Sequence, residues 1–318
     1  MEVIAHFEGV VAGELDLRLE SSAASEFAAN TETDAGFSVP RVRWHMSSRR
    51  VMTMDWVEGH SIGENAALDA AGHNREQLAT RVLQLFLSHA LRDGFFHGDM
   101  HQGNLKVAEN GDIIAYDFGI MGRIDEYTRR VYAEILFGFI RKDYQRVAEV
   151  HFEAGYVPPH NDVDEFARAL RAVGEPIFGM DASHISMARL LSYLFEVTER
   201  FGMETRTELI LLQRTMVVVE GVARSLDPHM NIWQVAKPTV EDYIKESIGP
   251  KALLKDMVKT ARILARFGPL LPAIAQTALI NQNNPTPPSP PKQSGMMLSW
   301  MALGGVLTAA IIWAVQSF

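Results

Sequence analysis

The sequence contains no cysteine, so it can form neither a disulfide framework nor a catalytic thiolate. It also lacks an excess of basic residues, because the 318 residues carry a formal net charge of −9. This charge balance offers no footprint for nucleic acid, and we expect no nucleic-acid partner. A signal peptide is not expected either, since Met1-Glu2 leads directly into an acidic stretch with helical spacing.

Charged residues are absent from one long run near the C-terminus, residues 296–315, which comprises twenty residues. A helix of that length spans about 30 Å, the thickness of a hydrocarbon core, and Trp300 and Trp313 lie near its ends. We predict a transmembrane helix over 296–318 behind a proline-rich linker, 281–295. A buried C-terminal helix is the alternative. Lys292 favours a single-pass anchor in the inner (cytoplasmic) membrane, with the bulk of the chain in the cytoplasm.

Residues 95–124, FFHGDMHQGNLKVAENGDIIAYDFGIMGRI, carry the most informative pattern in the chain. The segment His97-x-Asp99 is followed five residues later by Asn104 and then by a short apolar run. Asn110-Gly111 predicts a hairpin in which both turn residues adopt positive φ. A second apolar run then leads to Asp117-Phe118-Gly119. The order of helix, polar loop, hairpin and Asp-Phe-Gly is typical of the catalytic and metal-binding loops of protein-kinase-like phosphotransferases.

Phosphoryl transfer explains these residue types, because divalent metal bridges phosphate oxygens and prefers oxygen ligands. We assign metal binding to Asn104 and Asp117, and the catalytic carboxylate to Asp99, where it would accept a hydroxyl proton or orient a nucleophile. His97 is expected to brace the loop rather than to titrate. An alternative is a metal-hydrolase ligand set formed by His97, Asp99 and His101.

The segments before the catalytic stretch predict a partial small lobe. Residues 3–30 have helical spacing and carry Glu14, Asp16 and Glu20. Residues 50–57 predict a strand that ends in a hinge, where Asp55, Trp56 and Val57 could contact adenine through backbone groups. A strong helix follows, capped at Asn74 or a neighbouring residue and extending through Arg92, and Asp93-Gly94 is expected to end it.

The fold class predicted from these patterns is α+β, a protein-kinase-like fold with mostly the helical C-lobe. The chain is divided into a partial N-lobe over 1–59, a helical C-lobe over 60–280, the linker and the transmembrane helix. After Gly119 the periodicity predicts helices over 126–141, 144–154, 162–173, 185–201, 205–223 and 239–248. A further basic amphipathic helix follows Pro250; its face either lies on an anionic membrane or packs on the domain.

These motifs together resemble the UbiB/ADCK family of atypical protein-kinase-like proteins, over nearly the whole chain. GELDLRLE is similar to the ExD helix of that family, which implies nucleotide-site roles for Glu14 and Asp16 and the helix-αC position for Glu20. FFHGDMHQGN resembles the family's catalytic loop, with Gly98 where a typical kinase has arginine.

The resemblance implies ATP or ADP and Mg²⁺ as cofactors and a role in ubiquinone biosynthesis. It also implies membrane lipid or quinone-pathway intermediates as partners, together with other ubiquinone-biosynthesis enzymes.

The sequence departs from the family in lacking the KxGQ motif, the alanine-rich nucleotide loop and the lysine that pairs with the helix-αC glutamate. We therefore expect a chain truncated at its N-terminus relative to the family, in which Glu20 has no lysine partner. Each lost contact to the phosphates should cost on the order of 2–4 kcal/mol, so weak ATP binding is expected.

Two other functions remain open. The chain could be a pseudokinase-like scaffold that organises lipid- or quinone-modifying enzymes. An aminoglycoside-type phosphotransferase shares the His-x-Asp-x-x-x-x-Asn pattern, but it would have neither the ExD helix nor the membrane segment.

Overall fold

The computed structural model describes residues 15–179, 193, 196–203 and 207–247. The chain divides into two compact units, Met1–Leu254 and Lys255–Phe318, and all of the described residues belong to the first unit. The predicted linker and transmembrane segment therefore lie outside the described residues, as do Glu14, the basic amphipathic helix and most of the helix predicted over 185–201.

Helices make up most of the described chain. They are α1 (Leu17–Asn30), α2 (Asn65–Ala70), α3 (Arg75–Ser88), α4 (Glu126–Arg141), α5 (Tyr144–Glu153), α6 (Val163–Gly179), α7 (Thr207–Leu226) and α8 (Ile232–Ser247). Residues 196–200 are also helical. The helices predicted after Gly119 are present wherever the structure describes them, with ends shifted by up to seven residues.

Capping residues explain several helix ends. The Asn74 side chain accepts a hydrogen bond from Gln77 N at the start of α3, which confirms the predicted cap. Asp125 caps α4 in the same way through Thr128 N. Helix α3 passes into a π-helical turn, His89–Asp93, and the chain then reverses at Gly94, whose φ is 66°. The predicted stop at Asp93-Gly94 is confirmed.

Six short strands form two sheets: β1 (Phe37–Ser38), β2 (His60–Ser61), β3 (Phe95–His97), β4 (Leu105–Val107), β5 (Ile113–Ala115) and β6 (Met121–Arg123). The larger sheet has the order β1-β5-β4-β2, with β1 parallel to β5 and the other pairs antiparallel. The smaller sheet pairs β3 with β6 in antiparallel register, so that His97 lies opposite Met121. The pairing of β3 with β6 brings together the two ends of the intervening segment, which contains the predicted catalytic loop and Asp117-Phe118-Gly119.

The predicted hairpin exists, but its turn differs from the prediction. Strands β4 and β5 are joined by five residues, 108–112. Gly111 has a φ of 84°, whereas Asn110 does not adopt positive φ. The Asn110 side chain instead accepts a hydrogen bond from Asp112 N, and Ala108 N bonds to Asp112 O, so the longer loop does not require the left-handed conformation at Asn110.

The N-terminal region differs from the predictions in two places. The helix predicted over 3–30 is present at Leu17–Asn30, but Leu15 and Asp16 are not part of it, because the Asp16 side chain caps α1 by accepting from Arg18 N. The strand predicted over 50–57 is an extended segment that makes only the isolated bridges Val42–Met54 and Ser48–Val51. Among the described residues no neighbouring strand continues the pairing, so a regular ladder does not form.

The larger of two hydrophobic clusters in the described residues extends through most of the elements around the predicted catalytic stretch. The largest side chains that are almost fully buried are Phe27 of α1, Phe86 of α3, Phe96 of β3, Phe118, Tyr144 and Phe166. The ring of Phe27 lies 5.9 Å from that of Phe118, and the ring of Phe86 lies 5.8 Å from that of Phe96. The core therefore extends from α1 to the Asp-Phe-Gly segment and to the catalytic loop.

A partly buried ionic cluster connects the turn after α1 to the turn after α3. Asp34 Oδ2 lies 3.0 Å from His89 Nε2, and Arg92 donates to both carboxylate oxygens at 2.6 and 3.0 Å. His89 is fully buried. Burial by itself would raise the pKa of Asp34, but the hydrogen bonds from His89 and Arg92 outweigh burial and hold that pKa well below its usual range.

No helix among the described residues is long and apolar enough to cross a membrane. The domain boundary predicted at residues 59 and 60 stays a prediction.

Candidate active site

The predicted catalytic loop connects β3 to β4, and its own side chains hold its main chain in place. Asp99 N donates to His97 Nδ1 at 3.0 Å, and Asn104 Nδ2 donates to Asp99 O at 3.0 Å. His101 Nδ1 accepts from Gly103 N at 2.9 Å, while His101 Nε2 lies 3.6 Å from Asp99 Oδ2. These bonds place Asp99 and Asn104 on one compact turn, with the Asp99 carboxylate partly exposed and Asn104 buried.

The segment Asp117-Phe118-Gly119 joins this loop at both ends. On one side Tyr116 N donates to Asn104 O at 3.3 Å, and the Tyr116 hydroxyl donates to Gly103 O. On the other side Gly98 N donates to Ile120 O at 2.8 Å. The structure thus brings the loop of Asp99 and Asn104 against the segment of Asp117, as the order of motifs predicts.

His97 is a neutral brace rather than a proton carrier. Its ring is buried, and burial lowers the pKa of His97 to about 4, against the opposing influence of the Asp117 main chain and the nearby carboxylates. Because Nδ1 accepts the Asp99 amide, the proton of the neutral ring resides on Nε2. This geometry accords with the role expected from the sequence.

Glu20 reaches the Asp-Phe-Gly segment from α1. Phe118 N donates to Glu20 Oε1 at 3.2 Å, and the Phe118 ring packs in the core between Phe27 and His97. Glu20 therefore contacts the residue that directly follows Asp117 in the sequence. The first lysine in the sequence is Lys106, and no lysine among the described residues pairs with Glu20.

Asp16, the second carboxylate of the predicted ExD motif, is engaged by arginines. Arg18 donates to both of its oxygens, at 2.8 and 2.6 Å, and Arg49 Nε lies at 3.8 Å. The hydrogen bond from Arg18 is the main reason that the pKa of Asp16 is lowered to about 2. The carboxylate is thus ionised and occupied, and Glu14 lies outside the described residues.

The three hinge residues predicted to contact the cofactor lie along an exposed edge of the described unit. Asp55 forms an ion pair with Arg43 at 2.5 Å, and Trp56 is 86% exposed. Val57 O accepts from Lys106 Nζ at 3.2 Å. The Asp55 carboxylate is therefore paired with Arg43. Trp56 and Val57 instead lie beside the hairpin that precedes Asp117.

Lys106 and Tyr116 are site neighbours that sequence reasoning missed. Lys106 Nζ lies 5.8 Å from the centre of the Trp56 ring and 5.9 Å from that of Tyr116, so the ammonium group bridges the hinge and the hairpin. The signal available in the sequence was a single lysine at the centre of the apolar run Leu105–Val107. A charge at that position of a strand with buried neighbours requires a local partner.

The donor set of the site fits a hard divalent cation. Asn104 Nδ2 donates to Asp99 O, which leaves Oδ1 available to a cation, and among the described residues Asp117 Oδ1 accepts from Gly119 N at 3.1 Å. Amide and carboxylate oxygens are ligands that Mg²⁺ accepts, together with phosphate oxygens and water.

The metal-hydrolase alternative has no support from the geometry. Within the described ranges, no group of three or more histidine and acidic side chains is arranged to hold a metal ion. Both His97 and His101 use Nδ1 to accept main-chain amides.

Comparisons with known proteins identify the domains to which this chain is similar. Residues 1–151 match the model of the ABC1 atypical kinase-like domain, and residues 170–231 match that of the UbiB helical domain. Proteins named "Probable protein kinase UbiB" from Xanthomonas axonopodis pv. citri and from Cronobacter sakazakii are each 38% identical, over 287 and 283 residues. These matches cover 88% of this chain and 52% of each relative, so the chain spans about half the length of the curated relatives it matches.

A solved structure extends the comparison to the fold. The complex of Rv3197 with erythromycin from Mycobacterium tuberculosis superposes with a TM-score of 0.53 and 22% identity, covering 74% of this chain and 61% of that one. This likeness shows a shared helix-rich, kinase-like α+β fold. With the two domain matches and the relatives named UbiB, the chain belongs to the UbiB/ADCK family of atypical protein-kinase-like proteins.

Proposed function

We propose that this chain carries the magnesium–nucleotide half of a UbiB-type phosphotransferase or ATPase. The observation that carries the proposal is the joining of two loops: Asn104 O accepts from Tyr116 N, and Gly98 N donates to Ile120 O. These bonds hold Asp99 and Asn104 against the segment of Asp117. In this proposal Asn104 and Asp117 hold Mg²⁺, which neutralises phosphate charge when it is bound.

Asp99 takes the role of the carboxylate that accepts a hydroxyl proton or orients the attacking oxygen. Its main-chain amide is tied to His97 Nδ1 and its carbonyl to Asn104 Nδ2, while its partly exposed carboxylate lies 3.6 Å from His101 Nε2. Trp56 and Val57 are proposed to border the adenine, where Lys106 holds the hinge against the hairpin.

The wider role proposed for this chain follows from the family. The resemblance supports a place in ubiquinone biosynthesis at the membrane, with lipid or quinone intermediates and other enzymes of that pathway as partners. The uncharged run at 296–315 supports a C-terminal anchor in the inner membrane, with the bulk of the chain in the cytoplasm.

Calorimetric titration with ATP in the presence and absence of Mg²⁺ tests the site. We expect Mg²⁺-dependent binding to the native chain, and a loss of at least tenfold in affinity in Asp117→Asn. Asp112→Asn is the matched control, because this carboxylate lies in the hairpin turn and bonds only to Asn110. Equal affinities of the native chain and Asp117→Asn would contradict the proposal.

A non-catalytic scaffold is the second candidate, and one observation favours it. Glu20 accepts a hydrogen bond from Phe118 N, and among the described residues no lysine forms an ion pair with Glu20. A scaffold would capture ubiquinone-biosynthesis enzymes equally well in the native and Asp99→Ala forms. Capture that accompanies undetectable nucleotide binding would favour this second function.

A further inference from the structure

Helix α7 makes two polar contacts with the catalytic loop, although it lies more than a hundred residues away in the sequence. Thr215 is fully buried, and its Oγ1 lies 2.9 Å from Gly98 O and 2.8 Å from Leu211 O, so that one hydroxyl proton is shared between two carbonyls. Gly98 O belongs to the peptide that leads directly into Asp99. With Gly98 N donating to Ile120 O, this residue is held from two sides.

The second contact lies at the other end of the loop. Gln102 Nε2 donates to Ser225 Oγ at 2.8 Å, and that hydroxyl in turn donates to Val222 O at 2.7 Å. Asn65 Nδ2 donates to Ser225 O at 2.9 Å, which fixes the end of α7 against α2. Gln102 stands two residues before Asn104, so α7 contacts the loop next to each of its two functional side chains.

The close approach of α7 also explains why position 98 is occupied by glycine. A Cβ built on Gly98 would lie 2.9 Å from Ile120 Cγ2 and 3.3 Å from Leu211 Cδ1. Both distances are shorter than ordinary carbon contacts, so Leu211 of α7 and Ile120 occupy the space of a side chain. Helix α7 therefore approaches the loop this closely because Gly98 carries no side chain.

We propose that Thr215 and Ser225 are positioning residues that hold the catalytic loop of the nucleotide site. Thr215 holds the carbonyl of Gly98, which precedes Asp99, and Ser225 holds the side chain of Gln102, which lies two residues before Asn104. Through these two contacts, α7 sets the directions of the Asp99 and Asn104 side chains. Both residues lie within the 170–231 match, so the UbiB helical domain is part of the active-site architecture. This inference rests on the proposed function for its catalytic meaning, but its structural content can be tested separately.

Hydrogen exchange of the full chain without nucleotide, followed in peptides that cover residues 98–104, measures this support directly. Thr215→Val removes the hydroxyl at nearly constant volume, and loss of one buried hydrogen bond should speed exchange of the loop about three- to tenfold. Thr215→Ser retains the donor and should restore native exchange. Ser225→Ala should accelerate exchange at 102–104. If Thr215→Val does not fold, the exchange measured in Ser225→Ala tests by itself whether α7 supports the loop.

Thr31→Val is the matched control. Thr31 is also a buried threonine whose Oγ1 donates to the carbonyl four residues earlier, Phe27 O at 2.8 Å, but it has no contact with the loop. This variant should leave exchange at 98–104 unchanged. Equal loop exchange in Thr215→Val and Thr31→Val, or a failure of Thr215→Ser to restore protection, would overturn the inference.

Titration of the same variants with Mg-ATP separates the inference from the proposed function. We expect affinity to fall severalfold in Thr215→Val and to recover in Thr215→Ser. A native chain that does not bind Mg-ATP contradicts the proposed function, while the exchange measurement still tests the support given by α7. Native affinity in Thr215→Val together with faster loop exchange would overturn the positioning role.

Discussion

The main-chain amide of Phe118 donates a hydrogen bond to Glu20 Oε1 at 3.2 Å, across 98 positions of the sequence. This bond links α1 to the residue that follows Asp117. The Phe118 ring is buried with its centre 5.9 Å from that of Phe27, which also belongs to α1. Helix α1 therefore holds both the backbone and the side chain of Phe118, the residue that follows Asp117, whose carboxylate is proposed to bind metal.

The first prediction concerns the Glu20 carboxylate. Glu20→Ala removes the acceptor of the Phe118 amide and should weaken Mg-ATP binding by about 1 kcal/mol, or roughly fivefold. Glu20→Gln retains an acceptor oxygen and should bind within about twofold of the native chain. Calorimetry measures both variants. Equal losses in the two variants would show that charge at Glu20, rather than its hydrogen bond, is what the site requires.

The second prediction uses the buried imidazole of His97. Burial lowers the pKa of His97 to about 4, so between about pH 4 and 6.5 the unfolded chain binds a proton that the folded chain does not. The free energy of unfolding should therefore fall as the pH is lowered through this window, by at most about 3 kcal/mol from this group.

His97→Asn isolates this contribution, because asparagine can still accept the Asp99 amide but does not titrate. Burial of the His151 ring also lowers the pKa of that residue to about 4, and His151 continues to contribute in the variant. Denaturant unfolding at pH 7, 6 and 5 should show a shallower dependence on pH in His97→Asn. Identical dependences would mean that the pKa of His97 is the same in the folded and unfolded chains.

The third prediction concerns the cluster of Asp34, His89 and Arg92. Because the folded-state pKa of Asp34 lies below its usual range, its stabilising effect is present above about pH 4 and is lost as the pH falls further. Asp34→Asn should lower the free energy of unfolding at pH 7 by about 2 kcal/mol, a value reduced for the exposure of Arg92. Asp69→Asn, which breaks an exposed pair with Arg75, should cost less than about 0.5 kcal/mol.

The contrast between these two variants measures what burial adds to an ion pair. Urea unfolding at neutral pH gives both values. A loss in Asp34→Asn no larger than that in Asp69→Asn would contradict the anchoring role of the cluster.

The fourth prediction compares two glycines. A Cβ at Gly122 would collide with the buried Phe96 ring, so Gly122→Ala should destabilise the chain by about 1–3 kcal/mol. Gly221 is exposed in α7 with nothing within 4 Å of its missing Cβ, and Gly221→Ala should stabilise by about 0.5–1 kcal/mol. Thermal unfolding gives both signs, and a stabilised Gly122→Ala would mean that β3 and β6 are less closely packed than described.

Local spacing made part of this site predictable. Asp99, Asn104 and Asp117 lie within 19 residues of the sequence. Because a hairpin between Asn104 and Asp117 reverses the chain, the order of these residues already predicts that they lie close together. Gly94 and Asn74 were predictable for the same reason, since each acts on its own helix end.

Contacts between distant segments were not predictable in this way. The partner of Glu20 depends on how α1 packs, and the support from Thr215 depends on the path of α7. The segment over 50–57 looked like a strand because of its composition, but strand formation needs a paired neighbour, which no single segment reveals. Asp16 was assigned to the nucleotide site, whereas in the described structure its carboxylate caps α1 and pairs with Arg18.

The most direct test of the central claim is whether Asn104 and Asp117 hold the metal of a bound nucleotide. Nuclear relaxation of labelled chain with Mn²⁺-ATP replacing Mg²⁺-ATP detects weak binding and locates the metal. We predict selective broadening of amide signals at 99–104 and 117–119, which disappears in Asp117→Asn and persists in Asp112→Asn. Broadening elsewhere, or unchanged broadening in Asp117→Asn, would contradict the account.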